Sequence, residues 1–160
     1  REIFFGEDIA ELLQENVVST LNDTDYALIE FHPTATADYI AQSLYKVENA
    51  GYTPVLAHIE RYPDLFKNIK MIEQIIEGGA YIQVNASSVE GRLGGGVKRQ
   101  IIKMMKKGLV HFVATDAHSN RSRAPQLEEC IRYIEKKLGS DYVKKLFIDN
   151  PEKMVHNEYI

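Results

Sequence analysis

Residues 111–121, His-Phe-Val-Ala-Thr-Asp-Ala-His-Ser-Asn-Arg, hold the clearest chemistry in the chain. A short apolar run ends in Asp116 and His118, two residues apart. In an extended chain, side chains at i and i+2 point the same way, so the two could face one metal ion together. Taken alone, the pair reads equally well as an aspartate in a turn beside a solvated histidine. Three further apolar runs carry similar groups. Tyr-Ala-Leu-Ile-Glu-Phe (26–31) brings Glu30, Pro-Val-Leu-Ala-His (54–58) brings His58 with Glu60 and Arg61 behind it, and Glu-Ile-Phe-Phe (2–5) carries Glu2. Carboxylate oxygen mixed with imidazole nitrogen suits hard or borderline divalent ions. In α/β barrels, catalytic residues come from the carboxyl ends of several strands.

The elements that must position these residues alternate along the chain. Strands are expected at 2–5, 26–31, 53–58, 80–84 and 110–115. The run 26–31 is apolar on both faces, as a strand covered by helices should be. Between the strands, helical spacing is expected in four places. Ile9, Leu12 and Leu13 follow Asp8, with Glu11 completing a capping box. Ile40, Leu44 and Val47 follow a Thr36 cap and stop at Gly51. Ile69, Ile72, Ile75 and Ile76 lie in a helix at 68–77 that ends at Gly78-Gly79, and Val97, Ile101, Met104 and Met105 lie in one at 97–107. A last helix at 124–138 carries Leu127, Cys130, Ile131, Ile134 and Leu138, and Ser140 and Asn150 read as further N-caps, with Pro151 at the first helical position. Residues 86–90 read as a polar segment and 91–96 as a glycine loop. Such alternation implies βαβ units and a parallel sheet, hence an α/β fold.

Bulk properties exclude several classes. The chain has 160 residues, enough for one domain with a real core. Its formal net charge is −4 and it has no basic run, which argues against general nucleic-acid binding. No stretch approaches the roughly 20 apolar residues of a membrane span, and no secretory signal pattern is visible. A single cysteine, Cys130, allows no intrachain disulfide and suits a reducing cytoplasm. The sequence carries no signal for an oligomeric state.

Three segments together resemble the CpsB-type tyrosine phosphatases of bacterial capsule and exopolysaccharide loci, within the PHP (polymerase and histidinol phosphatase) metallohydrolases. They are Leu-Asn-Asp-Thr-Asp-Tyr-Ala-Leu-Ile-Glu-Phe (21–31), Gly-Tyr-Thr-Pro-Val-Leu-Ala-His-Ile-Glu-Arg (51–61) and residues 111–125, which continue past Asn120 as Arg-Ser-Arg-Ala-Pro. The resemblance runs from Glu2 to about Asn157. It implies a distorted, seven-stranded TIM-like (β/α) barrel, of which about five strands are countable, and a single PHP domain over 1–160. It implies that Glu2, Glu30, His58, Asp116 and His118 bind up to three divalent ions, manganese by family habit, with Glu2 as the bridging carboxylate. It implies that Arg61 and Arg123 hold the substrate phosphate, Arg121 being a neighbouring alternative. Its substrate class would be phosphotyrosine on a bacterial tyrosine kinase that regulates polysaccharide export. The family's first strand carries His-x-His, which these residues lack, so the expectation is a chain corresponding to the C-terminal two-thirds of the family's domain.

Two other readings stand beside this one: a PHP phosphoesterase acting on a small ester such as histidinol phosphate, and an inactive fragment or binding module. The segments 21–24 and 57–61 favour the CpsB branch. Cys130 is rejected as a nucleophile, because cysteine phosphatases need Cys-x5-Arg and position 136 is Lys on an apolar helix pattern. Gly94-Gly95-Gly96 lacks the Gly-Lys-Ser/Thr of a P-loop and reads as a flexible loop. His32 reads as a loop histidine held by Pro33, His111 as a packing or edge residue, and His156 carries no role.

Overall fold

The structure, a computed structural model, describes residues 2–117 and 127–160. Five strands form one parallel sheet: β1 (Ile3–Phe4), β2 (Tyr26–Glu30), β3 (Thr53–Leu56), β4 (Tyr81–Asn85) and β5 (Phe112–Ala114). They lie side by side in chain order, β1-β2-β3-β4-β5. The register pairs Ile3 with Ile29, Ile29 with Leu56, Leu56 with Ile82 and Asn85 with Ala114. A strand order that never reverses, built with crossovers of one hand, puts its helices on one face of the sheet. The expected α/β class and parallel sheet are what the structure has.

Each strand divides its side chains between two layers, as a period of two requires. Ile3, Ile29, Leu56, Ile82 and Val84 belong to the main core, with Ile40, Leu44 and Val47 of α2 (Ala37–Asn49) and Ile72 and Ile75 of α4 (Ile69–Glu77). Tyr26, Val55, Tyr81 and Phe112 form a second, smaller cluster. Tyr26 and Tyr81 stack there with ring centroids 5.7 Å apart. Their hydroxyls meet the chain end: Tyr26 donates to the Glu158 carbonyl at 2.5 Å, and Tyr81 accepts from the Ile160 N–H at 2.9 Å. One end of this second face is thus closed by aromatic packing. The other end, where Glu30 and Asp116 lie, carries the polar groups.

The helices follow the sequence expectations with informative exceptions. Thr36 caps α2 by accepting from the Tyr39 N–H, and Asn68 caps α4 by accepting from the Met71 N–H. Asp8 precedes α1 (Ile9–Gln14) without a side-chain cap bond, so the expected capping box does not form. The turn at Tyr62 leads into the short α3 (Pro63–Phe66). The segment expected to be polar and irregular is a short helix, α5 (Ala86–Glu90), with Ser88 and Val89 buried. The glycine loop expected at 91–96 is shorter in the structure, because α6 (Gly95–Lys106) begins at Gly95. Gly94 has φ 94°, and that left-handed turn starts the helix. Among the described residues, the next helix is α7 (Glu128–Leu138), and Cys130 is fully buried on it.

Ser140 and Asn150 are not N-caps. Ser140 is the first residue of α8 (Ser140–Lys144), and Asn150 opens α9 (Asn150–Val155), the two helices being joined by a π turn at Lys145–Asp149. The wider turn accommodates the Pro151 ring, which in an α-helix clashes with the carbonyl four residues back. Asn150 is buried and donates from Nδ2 to the His111 carbonyl at 2.7 Å.

His111 is buried between β4 and that helix, and its Nδ1 accepts from the Ile82 N–H at 3.1 Å. Burial, with Lys145 acting in the same sense, lowers its pKa to about 4. The folded state therefore holds a neutral imidazole that the unfolded chain protonates near pH 6.5. The stabilisation is complete above pH 6.5 and declines as pH falls towards 4. Between pH 7.5 and 4.5 the loss from this group is about 2–3 kcal/mol. Urea unfolding across that range should show the decline in the parent protein, and a shallower one in His111→Asn. An equal slope in both would remove His111 as its source.

Candidate metal centre

The parallel register brings three of the expected site residues to one edge of the sheet. Glu30 is the last residue of β2, His58 lies two beyond β3, and Asp116 lies two beyond β5. Glu2 differs: it lies one residue before β1, whose first pair is Ile3 with Ile29. A cavity of about 520 Å³ opens here, lined by Glu2, Leu28, Glu30, Gln83, Ala114, Asp116 and Ala117. A larger open groove of about 780 Å³, lined by Lys145, Asp149 and the chain end, shares no residue with it.

Strand β3 stops two residues earlier than its sequence suggests, and the reason is His58. Continued alternation would send His58 to the helix side with Leu56. Instead its backbone takes a left-handed conformation, φ 34°, which costs on the order of 1–3 kcal/mol outside glycine. The turn is held by the His58 N–H donating to Gln83 Oε1 at 2.6 Å. The imidazole, 1% exposed, then meets both carboxylates: Nε2 is 3.4 Å from Glu2 Oε1 and 3.4 Å from Glu30 Oε2. One ligand atom from each of Glu2, Glu30 and His58 lies within 4.8 Å of the others. Burial lowers the His58 pKa below its usual value, and Arg61 acts in the same sense, against Asp116 and Glu30. The neutral imidazole so favoured is the form that binds metals. Its other nitrogen, Nδ1, lies 3.4 Å from the Tyr62 hydroxyl, which accepts from the Phe31 N–H at 3.1 Å.

Arg61 follows His58 in a 3₁₀ turn, Ile59–Arg61. Its Nη2 donates to Asp116 Oδ2 at 2.5 Å, and its Nη1 lies 3.5 Å from His58 Nε2. Asp116 also accepts from Asn85 Nδ2 at 3.1 Å. Its backbone is left-handed, φ 50°. The extended-chain alternation that aligned Asp116 with His118 therefore does not run through this residue. His118, Arg121 and Arg123 lie outside the described residues.

Four nearby residues, of which only Glu60 is conspicuous in the sequence, carry no expected role there. Gln83 and Asn85 are buried, and Gln83 Nε2 donates to Asn85 Oδ1 at 2.9 Å. Glu60 is buried and accepts the Asn85 N–H at 2.8 Å. Burial pushes its carboxyl above the usual carboxylate range, against the Ser88 and Asn85 donors that favour the anion. Tyr62 is the fourth. A signal did exist for two of them: amides at alternate positions of an otherwise apolar strand, Ala-Tyr-Ile-Gln-Val-Asn (80–85). Other residues sit as expected. Burial pushes the Cys130 thiol up to about 12, which leaves no thiolate for catalysis. His32 is an exposed loop residue bonded to Thr34.

The donor set of two carboxylates around one neutral imidazole fits a divalent cation. A parallel α/β sheet that gathers such groups at the carboxyl ends of its strands has the layout of a metallohydrolase domain. The comparisons identify the family: a model described as "Capsular polysaccharide synthesis, CpsB/CapC" matches residues 1–156, and the chain belongs to that family. It is 37% identical to the tyrosine-protein phosphatase CpsB of Streptococcus pneumoniae, over 99% of this chain and 68% of that protein. It is 33% identical to the tyrosine-protein phosphatase YwqE of Bacillus subtilis (strain 168), over 98% of this chain and 61% of that protein. Among solved structures, a chain from the work on B. subtilis YwqE and S. pneumoniae CpsB, described as "unique metal-dependent tyrosine phosphatases", superposes with a TM-score of 0.90 at 32% identity, covering 100% of this chain and 64% of that one. The resemblance drawn from the three sequence segments is borne out.

Proposed function

We propose that this protein is a metal-dependent protein-tyrosine phosphatase. The observation that carries the reading is the convergence of Glu2, Glu30 and His58 beside Arg61, in a chain similar throughout to proteins named tyrosine-protein phosphatases. The metal ligands are Glu2, Glu30, His58, Asp116 and His118, and the ions are manganese, up to three. The five strands are an arc of a PHP-type distorted (β/α)7 barrel, and residues 1–160 belong to a single PHP domain, without the family's His-x-His strand. The unreversed strand order and the aromatic layer of Tyr26, Tyr81 and Phe112 on the second face support the barrel.

Divalent ions held there supply Lewis acidity towards phosphate oxygens and a water activated near neutral pH. The rest is done by the chain. Arg61 presents a planar guanidinium, and Arg123 a second one, to the equatorial oxygens of the phosphate. The carboxylates bear the charge that neutralises the ions. No strong general acid is needed, because the tyrosine phenolate leaves comparatively easily with a pKa near 10. The substrate is a phosphotyrosine-bearing bacterial tyrosine kinase of a capsule or exopolysaccharide locus, and the site of action is the cytoplasm. Among the described residues no helix is long and apolar enough to cross a membrane.

Hydrolysis of a phosphotyrosine peptide and of histidinol phosphate, each with Mn²⁺ and with EDTA, tests this. Mn²⁺-dependent release of phosphate from the peptide, abolished by EDTA, is the expected result. Preference for histidinol phosphate would move the protein to the small-ester branch of the superfamily, and EDTA-resistant turnover would dismiss the metal.

A further inference from the structure

We propose that Asn85 is a positioning residue of this site. Its amide, oriented by Gln83, holds the Asp116 carboxylate in place independently of Arg61. The inference rests on the metal-dependent reading above and adds to it a residue outside the proposed ligand set.

Gln83 and Asn85 are 4% and 5% exposed, inside a strand buried along its whole length. Two buried amides in such a strand are costly unless each is hydrogen-bonded. Here the bonds form one chain with a fixed direction. It starts from a donor that cannot be reversed, the His58 backbone N–H, which points at the Gln83 side chain. That end of Gln83 must be its oxygen, so its NH₂ faces Asn85. Asn85 must therefore turn its oxygen towards Gln83 and its NH₂ towards Asp116. The backbone of Asn85 is fixed separately, by Glu60. The left-handed turn at His58 thus dictates which atom Asn85 offers to Asp116.

The geometry at Asp116 gives this bond a purpose. Both Arg61 and Asn85 donate to the same oxygen, Oδ2. A phosphate competes with Asp116 for the Arg61 guanidinium, since both are anions that suit its fork. Asn85 is neutral and buried, and has no such alternative. When Arg61 turns to the substrate, Asn85 keeps the carboxylate aligned. Groups that orient metal ligands in this way typically matter by about 10- to 100-fold in metal affinity or activity.

The test measures Mn²⁺ affinity, from the spectrum of free Mn²⁺ by electron paramagnetic resonance, together with kcat and KM on a phosphotyrosine peptide. It uses the intact protein and the variants His58→Ala, Asn85→Ala, Asp116→Ala and Asn85→Ala/Asp116→Ala. Asn85→Ser, too short to reach Asp116, replaces Asn85→Ala if the latter does not fold. The expected result is a loss of about tenfold or more in Mn²⁺ affinity for the Asn85 variant, a fall in kcat larger than the change in KM, and a double variant no weaker than Asp116→Ala alone. A merely structural role would instead give losses that add in the double variant, and that overturns the proposal. Asn85 variants within twofold of the parent, while His58→Ala loses Mn²⁺, overturn it as well and leave the metal reading standing. Equal Mn²⁺ binding by the parent and His58→Ala refutes the metal reading, and the role of Asn85 falls with it.

Discussion

Replacing His58 with alanine is expected to lower Mn²⁺-dependent turnover of a phosphotyrosine peptide by about a hundredfold or more, with bound Mn²⁺ lost in parallel. Among the described residues, His58 is the nitrogen donor of the cluster, 3.4 Å from a carboxylate of Glu2 and 3.4 Å from one of Glu30. Its imidazole is 1% exposed. The fold should persist, because Glu2 and Glu30 are 24% and 27% exposed and keep their contact with solvent when the imidazole is removed. A thermal midpoint close to the parent's, alongside lost turnover and lost Mn²⁺, separates this from simple unfolding. Activity within threefold of the parent at equal Mn²⁺ would take His58 out of the site.

The ease with which His58 was found, and the difficulty of finding its supports, have the same physical origin. A polar residue at the end of an apolar run is conspicuous in sequence, because the run itself predicts a buried strand. Glu30, His58 and Asp116 were legible for that reason, and so was the parallel α/β class. Caps with a purely local mechanism were also legible, such as Thr36 for α2. What failed was local reasoning where a distant contact decides. His58 leaves the strand direction because Gln83, 25 residues away, holds its backbone N–H. Asn150 has the look of an N-cap, yet its amide goes to the His111 carbonyl across 39 residues. The apparent capping box at Asp8 does not close.

The same contrast makes Gln83 and Asn85 inconspicuous in the sequence. Sequence reasoning weighs titratable and metal-ligating side chains first, and neutral amides carry no charge to draw attention. Their positions in β4 nonetheless break the apolar pattern at two alternate residues, and such local breaks in an otherwise consistent design tend to fall at functional sites. The left-handed residues tell a related story. His58 and Asp116 are both non-glycine, both at φ above 30°, and both at the ends of strands that bear on the cluster. Strain of this kind persists only where surrounding contacts over-determine the backbone. The Gln83 bond to the His58 N–H and the Arg61 and Asn85 bonds to Asp116 are such contacts.

Arg61→Ala should reduce kcat/KM for a phosphotyrosine peptide by roughly 30- to 150-fold, the equivalent of about 2–3 kcal/mol for charge-assisted hydrogen bonds to phosphate. Glu2, Glu30 and Asp116 line one cavity, and a phosphate dianion must enter it. Arg61 sets a cation among them, with Nη2 on Asp116 and Nη1 3.5 Å from His58. Its side chain is 36% exposed while that of Asp116 is 6% exposed, so the guanidinium is the more accessible member of the pair to an incoming phosphate. Removing it should raise KM and the inhibition constant of inorganic phosphate together, since both ligands present the same oxygens. Arg61→Lys restores a positive charge without the planar fork and should recover only part of the loss, because a point charge cannot bridge two oxygens while keeping Asp116. An inhibition constant for phosphate unchanged in Arg61→Ala would assign the phosphate to other cations. Arg123→Ala, measured beside it, would then show the larger defect.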